Sequence, residues 1–380
     1  MNIPSKLPAV GTTIFTVMSA LAQEHQAINL SQGFPDFDCP EGLKERVIHY
    51  LQAGKNQYVP MGGLPELRAV LAEKIEDLYG LSVDAGEEIT ITAGATQAIF
   101  TALAAFVHPG DEVILIEPAY DCYRPAIELM GAKPVIYELS GPDFQVDWDE
   151  FGSLISKRTR MVIINTPQNP IGKTFKKADM EALRSCLAGT DILLLSDEVY
   201  EHLVFDGKKH WSALRFEELF ARTLATYSFG KTFHNTGWKV GYCVAPRHLM
   251  QEFRKVHQFN VFSVNSFVQF GLADFLQQKE QYVSLPEFYQ SKRDYFAQAM
   301  AASSLVPLSS EGTYFQLFDY GHFSQESDTE FVRRLTIKYG VAAIPVSVFY
   351  SSGKDQKYIR LCFAKKEDTL DAAAKRLALL

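Results

Sequence analysis

Five apolar runs in this chain end in the same way. Residues 89–95 read ITITAGA, 112–118 EVILIEP, 160–167 RMVIINTP, 192–198 ILLLSDE and 223–231 TLATYSFGK. Each run is short, rich in β-branched or aliphatic residues, and closes on polar or small residues. Such runs read as strands buried on both faces. The stretches between them are helical in pattern: ATQAIFTALAAFV, residues 123–130 and residues 177–187. Adding KPVIYEL and KVGYCVAP predicts an α/β fold: a mostly parallel seven-stranded sheet in three layers, with helices on both faces. In sheets of this kind ligands sit beyond the carboxyl ends of the strands. The polar residues there are therefore the ones to read.

The rest of the chain has a different texture. Residues 1–40 look irregular apart from a helical pattern at 14–23, and helices are expected at 40–54 and 64–80, each with Pro near its start and Gly at its end. Two long helical patterns run from 266 to 301. Strands near 305–319, a helix near 328–339, the strand YIRLCFA and a closing helix, LDAAAKRLALL, follow. The expected organisation is an N-terminal segment (1–40) packing on a smaller α+β domain (281–380), with the large domain at 41–280.

Composition narrows the function. With 37 Lys+Arg against 45 Asp+Glu among 380 residues, the formal charge is −8. That argues against a nucleic-acid or anionic-membrane partner. The five cysteines, at 39, 122, 186, 243 and 362, form no CxxC pair and read as reduced thiols of a cytoplasmic protein. No metal-ligand set is expected. The start, MNIPSKLPAV, lacks the apolar stretch of an export signal, and no run reaches the length of a membrane span.

Each strand end has an ordinary explanation when taken alone. TAGATQA is a strand-to-helix turn, although the free N–H groups of a helix start also bind phosphate. NTPQNPIG is a turn built on Asn and Pro. Asp197 is a helix cap or half of an ion pair, and most lysines are simply solvated. Their shared location changes the weighing. One end of one sheet carries a phosphate cradle, an aromatic surface at Tyr120, an amide at Asn169, a carboxylate at Asp197 with a phenol at Tyr200, and Lys231. That inventory fits a flat, phosphorylated, nitrogen-containing aldehyde, which a lysine holds as a Schiff base and a carboxylate turns into an electron sink.

The motifs SQGFPDF, NQYVPMGG, TAGATQA, EPAYDCYRP, NTPQNPIG, SDEVYEHLVF, SFGKTFHNTGWKVGY and YIRLCFAKK occur in this order from about residue 11 onward. The chain thereby resembles the class I aminotransferases among the fold type I pyridoxal-phosphate enzymes, and within them the methionine and kynurenine/glutamine transaminases. The resemblance implies that Lys231 is the Schiff-base lysine and proton shuttle, with Asp197 on the ring nitrogen and Tyr200 and Asn169 on the ring oxygen. It puts Tyr120 against the ring. It gives the phosphate to Ala95, Thr96, Ser228, Lys239 and, from a second subunit of a homodimer, Tyr58. Arg360 would take the substrate α-carboxylate, with the Gly33 backbone and Asn165 close by. Phe15 and Phe262 would line the side-chain pocket. Two positions depart from many relatives: Gly230 stands for serine, and Lys239 for arginine.

The reaction so implied is a ping-pong exchange of an amino group between an L-amino acid and a 2-oxo acid. No arginine occurs between 256 and 278, where aspartate-preferring relatives supply one from the partner subunit. An apolar or aromatic donor is therefore expected: methionine first, then phenylalanine, tyrosine, kynurenine or glutamine. A cysteine-conjugate β-lyase or an aminocyclopropane-carboxylate synthase-like lyase shares the same cofactor residues and remains the alternative. A cofactor-sensing regulator would need a DNA-binding domain, for which a fold beginning near residue 11 leaves no room.

Overall fold

The computed structural model describes residues 3–380. The strands, in chain order, are β1 (Ile28–Asn29), β2 (Ile89–Thr92), β3 (Glu112–Glu117), β4 (Lys133–Glu138), β5 (Thr159–Asn165), β6 (Leu193–Asp197), β7 (Thr223–Ser228), β8 (Gly241–Val244), β9 (Val306–Pro307), β10 (Phe315–Asp319), β11 (Val341–Ala342), β12 (Ile344–Pro345) and β13 (Tyr358–Cys362). Seven of them form the large sheet in the order β2-β8-β7-β6-β5-β3-β4. All pairs from β7 to β4 are parallel, while β8 runs antiparallel to both β7 and β2. Every residue of β2, β3, β6 and β8 is buried, as near-continuous apolar strands covered on both faces require. β4, at the edge, exposes Lys133 and Glu138 instead. The other edge strand, β2, is capped by a hydrogen bond from Ile91 N to Gly62 O at 3.0 Å, which leaves less of that edge free to pair.

The antiparallel β8 matters for the site. Its first residues lie level with the carboxyl ends of its neighbours: Gly241 pairs with Thr92 on one side and Ser228 on the other. A Cβ on Gly241 would stand 2.3 Å from Tyr227 O, so only glycine admits this approach. Lys239, two residues earlier, is thereby delivered to the same edge as Ala95 and Ser228.

A second sheet, β12-β13-β10-β9, is antiparallel throughout, and β1 pairs in parallel with β11 beside it. The N-terminal helix Ile14–Glu24 buries Met18 and Ala22. Leu30 N donates to Ala342 O (3.1 Å) and Cys362 N to Leu30 O (2.9 Å), so residues 28–34 lie against the small sheet. Arg360 sits on β13, the strand between β10 and β12, opposite Leu317 and Ile344.

One long helix was not expected, besides the short elements Ile28–Asn29, Glu217–Phe220, Val341–Ala342 and Ile344–Pro345. Residues 247–260 received no assignment from the sequence, yet Arg247–Asn260 is a helix of 14 residues. Its buried face carries Leu249, Met250, Phe253 and His257 at helical spacing, and the remainder is polar and charged. The region 266–301 resolves into the helices Ser266–Leu276, Glu280–Val283 and Leu285–Ala299 rather than two long ones.

Candidate active site

The helix Ala95–Phe106 follows β2 directly and starts without a side-chain cap, which leaves its first N–H groups available. Its N-cap residue is Gly94, at φ +81°, and a Cβ there would lie 3.3 Å from Lys239 Nζ. Glycine is needed on both counts. Lys239 itself adopts the left-handed conformation, φ 55°. An ammonium beside an uncapped helix start is a phosphate-sized anion site. Ser228, the last residue of β7, faces the same cavity, which has a volume of about 140 Å³.

Asp197 ends β6 in that cavity. It accepts from Tyr123 Oη at 2.5 Å and from Val199 N at 3.4 Å. Burial outweighs these bonds and pushes its carboxyl up to about 6. Such a group gains most from a cationic partner.

Lys231 lies one turn past β7, in the short helix Phe229–Thr232. Its amine donates to Tyr314 Oη (2.9 Å) and to Gly33 O (3.2 Å). Burial brings its pKa down to about 8, and the Arg360 and Lys239 charges act in the same direction. A useful fraction is therefore neutral near physiological pH, as a nucleophile and proton acceptor requires.

An adjoining pocket of about 510 Å³ shares Tyr120, Asn169, Tyr200 and Lys231 with the first and adds Phe15, Gly33, Phe315 and Arg360. Arg360 is 1% exposed and has no carboxylate within bonding distance among the described residues. It donates to Asn169 Oδ1 (2.6 Å) and Ser31 O (3.1 Å), and its Nε has no partner. The guanidinium lies 3.8 Å from the Phe315 ring centroid, with Phe349 and Phe15 at 5.2 and 5.4 Å. A buried cation held by aromatic faces, with no carboxylate bonded to it and only Asp121 in the same pocket, is suited to an anion.

Of the residues singled out in the sequence, Ala95, Thr96, Tyr120, Asn165, Asn169, Asp197, Tyr200, Ser228, Lys231 and Lys239 line the first cavity. Gly33, Phe15 and Arg360 line the second. The Asn165 amide is already engaged: Oδ1 accepts from Asn169 N (2.8 Å) and Nδ2 donates to Asp197 O (2.9 Å). It ties the ends of β5 and β6 together. Tyr58 and Phe262 line neither pocket. They are 79% and 45% exposed and pack edge-on against each other, 5.3 Å between centroids. Sequence reading missed Tyr123 and Tyr314. Tyr123 had a signal, lying three residues after Tyr120 at a helix start. Tyr314 had none, because one phenol in the apolar run TYFQLF looks like core.

A Schiff-base-competent lysine, an anion cradle and a buried carboxylate at the strand ends of a three-layer α/β sheet define a class of amino-group-transferring enzymes. The sequence profile of the family "Aminotransferase class I and II" matches residues 25–377. The chain belongs to this family and is a transaminase. It is 54% identical to the methionine aminotransferase of Escherichia coli (strain K12) over 99% of this chain and 98% of that one. It is 35% identical to kynurenine–oxoglutarate transaminase 1 of Homo sapiens, over 94% and 93%. Among solved structures, YbdL from Escherichia coli, reported to have a methionine aminotransferase function, superposes with a TM-score of 0.98 over all of both chains at 54% identity. N-succinyldiaminopimelate aminotransferase from Mycobacterium tuberculosis superposes at 0.95 and 35% identity, again over both full chains.

The raised Asp197 carboxyl has a stability consequence. Between its unfolded value, 3.8, and about 6 the folded chain binds the extra proton, so stability falls as pH rises through that window. Above it the ionised carboxylate costs at most roughly 3 kcal/mol in the ligand-free protein. Asp197→Asn should then be more stable than the parent at pH 7.5, by about 1–3 kcal/mol, with a flatter pH dependence between 4 and 6. Urea unfolding of both ligand-free proteins measures this; a parent that is equally or more stable at pH 7.5 contradicts it.

Proposed function

We propose that this transaminase uses pyridoxal 5'-phosphate and moves an amino group between an uncharged, apolar or aromatic L-amino acid, methionine first, and a 2-oxo acid. The observation that carries the reading is one cavity holding Lys231, a buried Asp197 and the Lys239–helix cradle. These residues fit the cofactor. Lys239, Ser228 and the free N–H groups at Ala95 and Thr96 suit a phosphate. Asp197, raised by burial, gains from a protonated ring nitrogen. Asn169 Nδ2 and the Tyr200 hydroxyl are donors for a ring oxygen, and the Tyr120 face suits a planar ring.

When bound, the cofactor supplies an aldehyde for amines and a conjugated ring that accepts the electron pair of a breaking α-C–H bond. The chain's own residues do the rest. Arg360 fixes the substrate carboxylate and thereby the direction of the α-C–H bond. The Lys231 amine, when free, would take the α-proton and later return it. Asp197 would keep a ring nitrogen cationic. Gln32 Nε2, bonded to Phe15 O at 2.9 Å, keeps the N-terminal helix at the mouth of the pocket.

Methionine rests on the likeness to the Escherichia coli enzyme and on the walls Phe15 and Phe315. A homodimer rests on Tyr58, Phe262 and Phe259, which expose 79%, 45% and 87% of their surface on one chain. The domain split at residues 40 and 280 is our reading as well; it is supported by the separation of the seven-stranded sheet from the two smaller ones. So is a cytoplasmic location, to which the five free cysteines are suited. No helix among the described residues is long and apolar enough to cross a membrane.

Three outcomes test these points. Borohydride reduction of the cofactor-loaded protein should fix the label on the peptide containing Lys231; label on Lys173 or Lys239 refutes the assignment. With one common 2-oxo acid, kcat/KM for methionine should exceed that for aspartate by about 100-fold or more, because an acidic side chain would be desolvated without a partner. Aspartate equal to methionine contradicts the substrate reading, and release of pyruvate and ammonia in place of exchange would favour the β-lyase. Mixing Lys231→Ala chains with Tyr58→Phe chains should restore activity above that of either alone, since an exchanged dimer holds one complete site. A fully active monomer in sedimentation rules the shared site out.

A further inference from the structure

The segment Gly312-Thr313-Tyr314-Phe315 leads into β10 through an unusual backbone. Thr313 is fully buried with φ 67°, a conformation that β-branched residues rarely adopt. It is held there because its N–H donates to Leu203 O (3.0 Å) and its hydroxyl accepts from Phe315 N (3.1 Å). Tyr314 O in turn accepts from Phe363 N at 3.0 Å. The turn therefore aims the Tyr314 side chain with little freedom. Its ring packs against Tyr200 and Phe315, at 5.2 and 4.9 Å between centroids, and it is fully buried.

What the turn delivers is a hydroxyl to Lys231. Tyr314 Oη donates to Gly33 O at 2.5 Å, and Lys231 Nζ donates to both Tyr314 Oη (2.9 Å) and Gly33 O (3.2 Å). Burial raises the Tyr314 phenol well above its ordinary range, so it keeps its proton. That one proton is engaged by Gly33, and towards Lys231 the phenol is an acceptor only. A neutral Lys231 amine has two N–H bonds and one lone pair. Here both N–H bonds have an acceptor, and the lone pair is the one valence left over. An amine on a four-carbon stem without such contacts would rotate among its rotamers.

We propose that Tyr314 is a positioning residue for proton transfer by Lys231: with Gly33 O it holds the amine during the interval in which the substrate has displaced it, so that the lone pair stays directed at the α-proton. This rests on the reading given under Proposed function. In the step so supported, the α-C–H bond would break, an N–H bond would form on Lys231, and the electron pair would go to the conjugated ring that the cofactor supplies. The resulting ammonium carries one more N–H than the two acceptors hold, and that is the proton it returns.

The test is Tyr314→Phe, which removes the hydroxyl and keeps the ring, beside Tyr289→Phe as a control. Tyr289 packs on Tyr314, 5.9 Å between centroids, but its hydroxyl bonds His234 Nδ1 (2.8 Å) and not Lys231. The first readout uses cofactor-free protein. The pH dependence of reductive methylation of the Lys231 peptide, read by mass spectrometry, should have its half-point near 8 in the parent. In Tyr314→Phe it should fall by about 0.5–1 pH unit, because an acceptor for the ammonium form is lost. The second readout uses loaded enzyme and methionine. Tyr314→Phe should lower kcat by about 10–100-fold with KM changed less than about twofold, and should enlarge the isotope effect of α-deuterated methionine. Tyr289→Phe should match the parent in both readouts. A Tyr314→Phe enzyme with the parent's half-point and isotope effect, or with a raised KM alone, overturns the proposal. Failure of the underlying reading looks different: the parent itself would exchange no amino group with any donor tried.

Discussion

Three carboxylates within five residues, Asp197, Glu198 and Glu201, are buried at the end of β6, and the site depends on how differently they are satisfied. Glu198 accepts from Ser196 Oγ (2.7 Å), His210 Nε2 (2.8 Å), Ala213 N (3.1 Å) and Tyr227 Oη (3.2 Å). Burial pushes its carboxyl up, yet these bonds hold it below the ordinary range. Glu201 meets the Lys74 ammonium at 2.6 Å, with the Tyr242 and Tyr79 hydroxyls on its oxygens. Burial again works against ionisation, and Lys74 wins, holding Glu201 down at about 2. Breaking such a pair by removing one partner typically costs about 3–5 kcal/mol. Two fully partnered carboxylates thus clamp the segment on either side of Tyr200. The third, Asp197, has only one phenol and one amide N–H, and that shortage makes it an acceptor for a ligand.

The second dependency is geometric. One antiparallel strand, β8, in an otherwise parallel sheet brings Lys239 to the carboxyl ends of strands that run the other way. An all-parallel sheet would have put the residue before β8 on the far side, about 13–14 Å away for a four-residue strand. The cation, the uncapped helix after Gly94 and the hydroxyl of Ser228 then share one edge without any long loop.

Much of this was legible in the sequence, for identifiable reasons. Strands buried on both faces leave uninterrupted apolar runs, so their ends, and with them Ala95, Asn165, Asp197 and Ser228, could be located by pattern alone. Arg360 was not of that kind. Its role came through the motif YIRLCFA, since an arginine in an apolar strand has no periodic signature. Contacts between side chains far apart in sequence were invisible: Tyr123 on Asp197 spans 74 residues, and Lys231 on Tyr314 spans 83. Asn165 was read as a substrate neighbour; it lines the first cavity, and that its amide also ties β5 to β6 was not visible in the sequence. The helix Arg247–Asn260 was left unassigned although Leu249, Met250, Phe253 and His257 recur at helical spacing.

The chain reaches back on itself at Arg360. Its guanidinium meets Ser31 O across 329 positions, and Cys362 N meets Leu30 O beside it. The cradle residues, by contrast, lie between 94 and 239. During synthesis from the N-terminus, the anion cradle, Asp197 and Lys231 all leave the ribosome more than 100 residues before β13 does. The large sheet can close in that interval, because domains fold as units while later residues are still being added. Residues 28–30 gain their strand partners only when β11 and then β13 arrive. The order of assembly is therefore built into the connectivity: the cavity around Asp197, Lys231 and Lys239 comes first, and the second pocket is complete only when Arg360 arrives. A product truncated before β13 would keep the first cavity's residues and lack the guanidinium of the second.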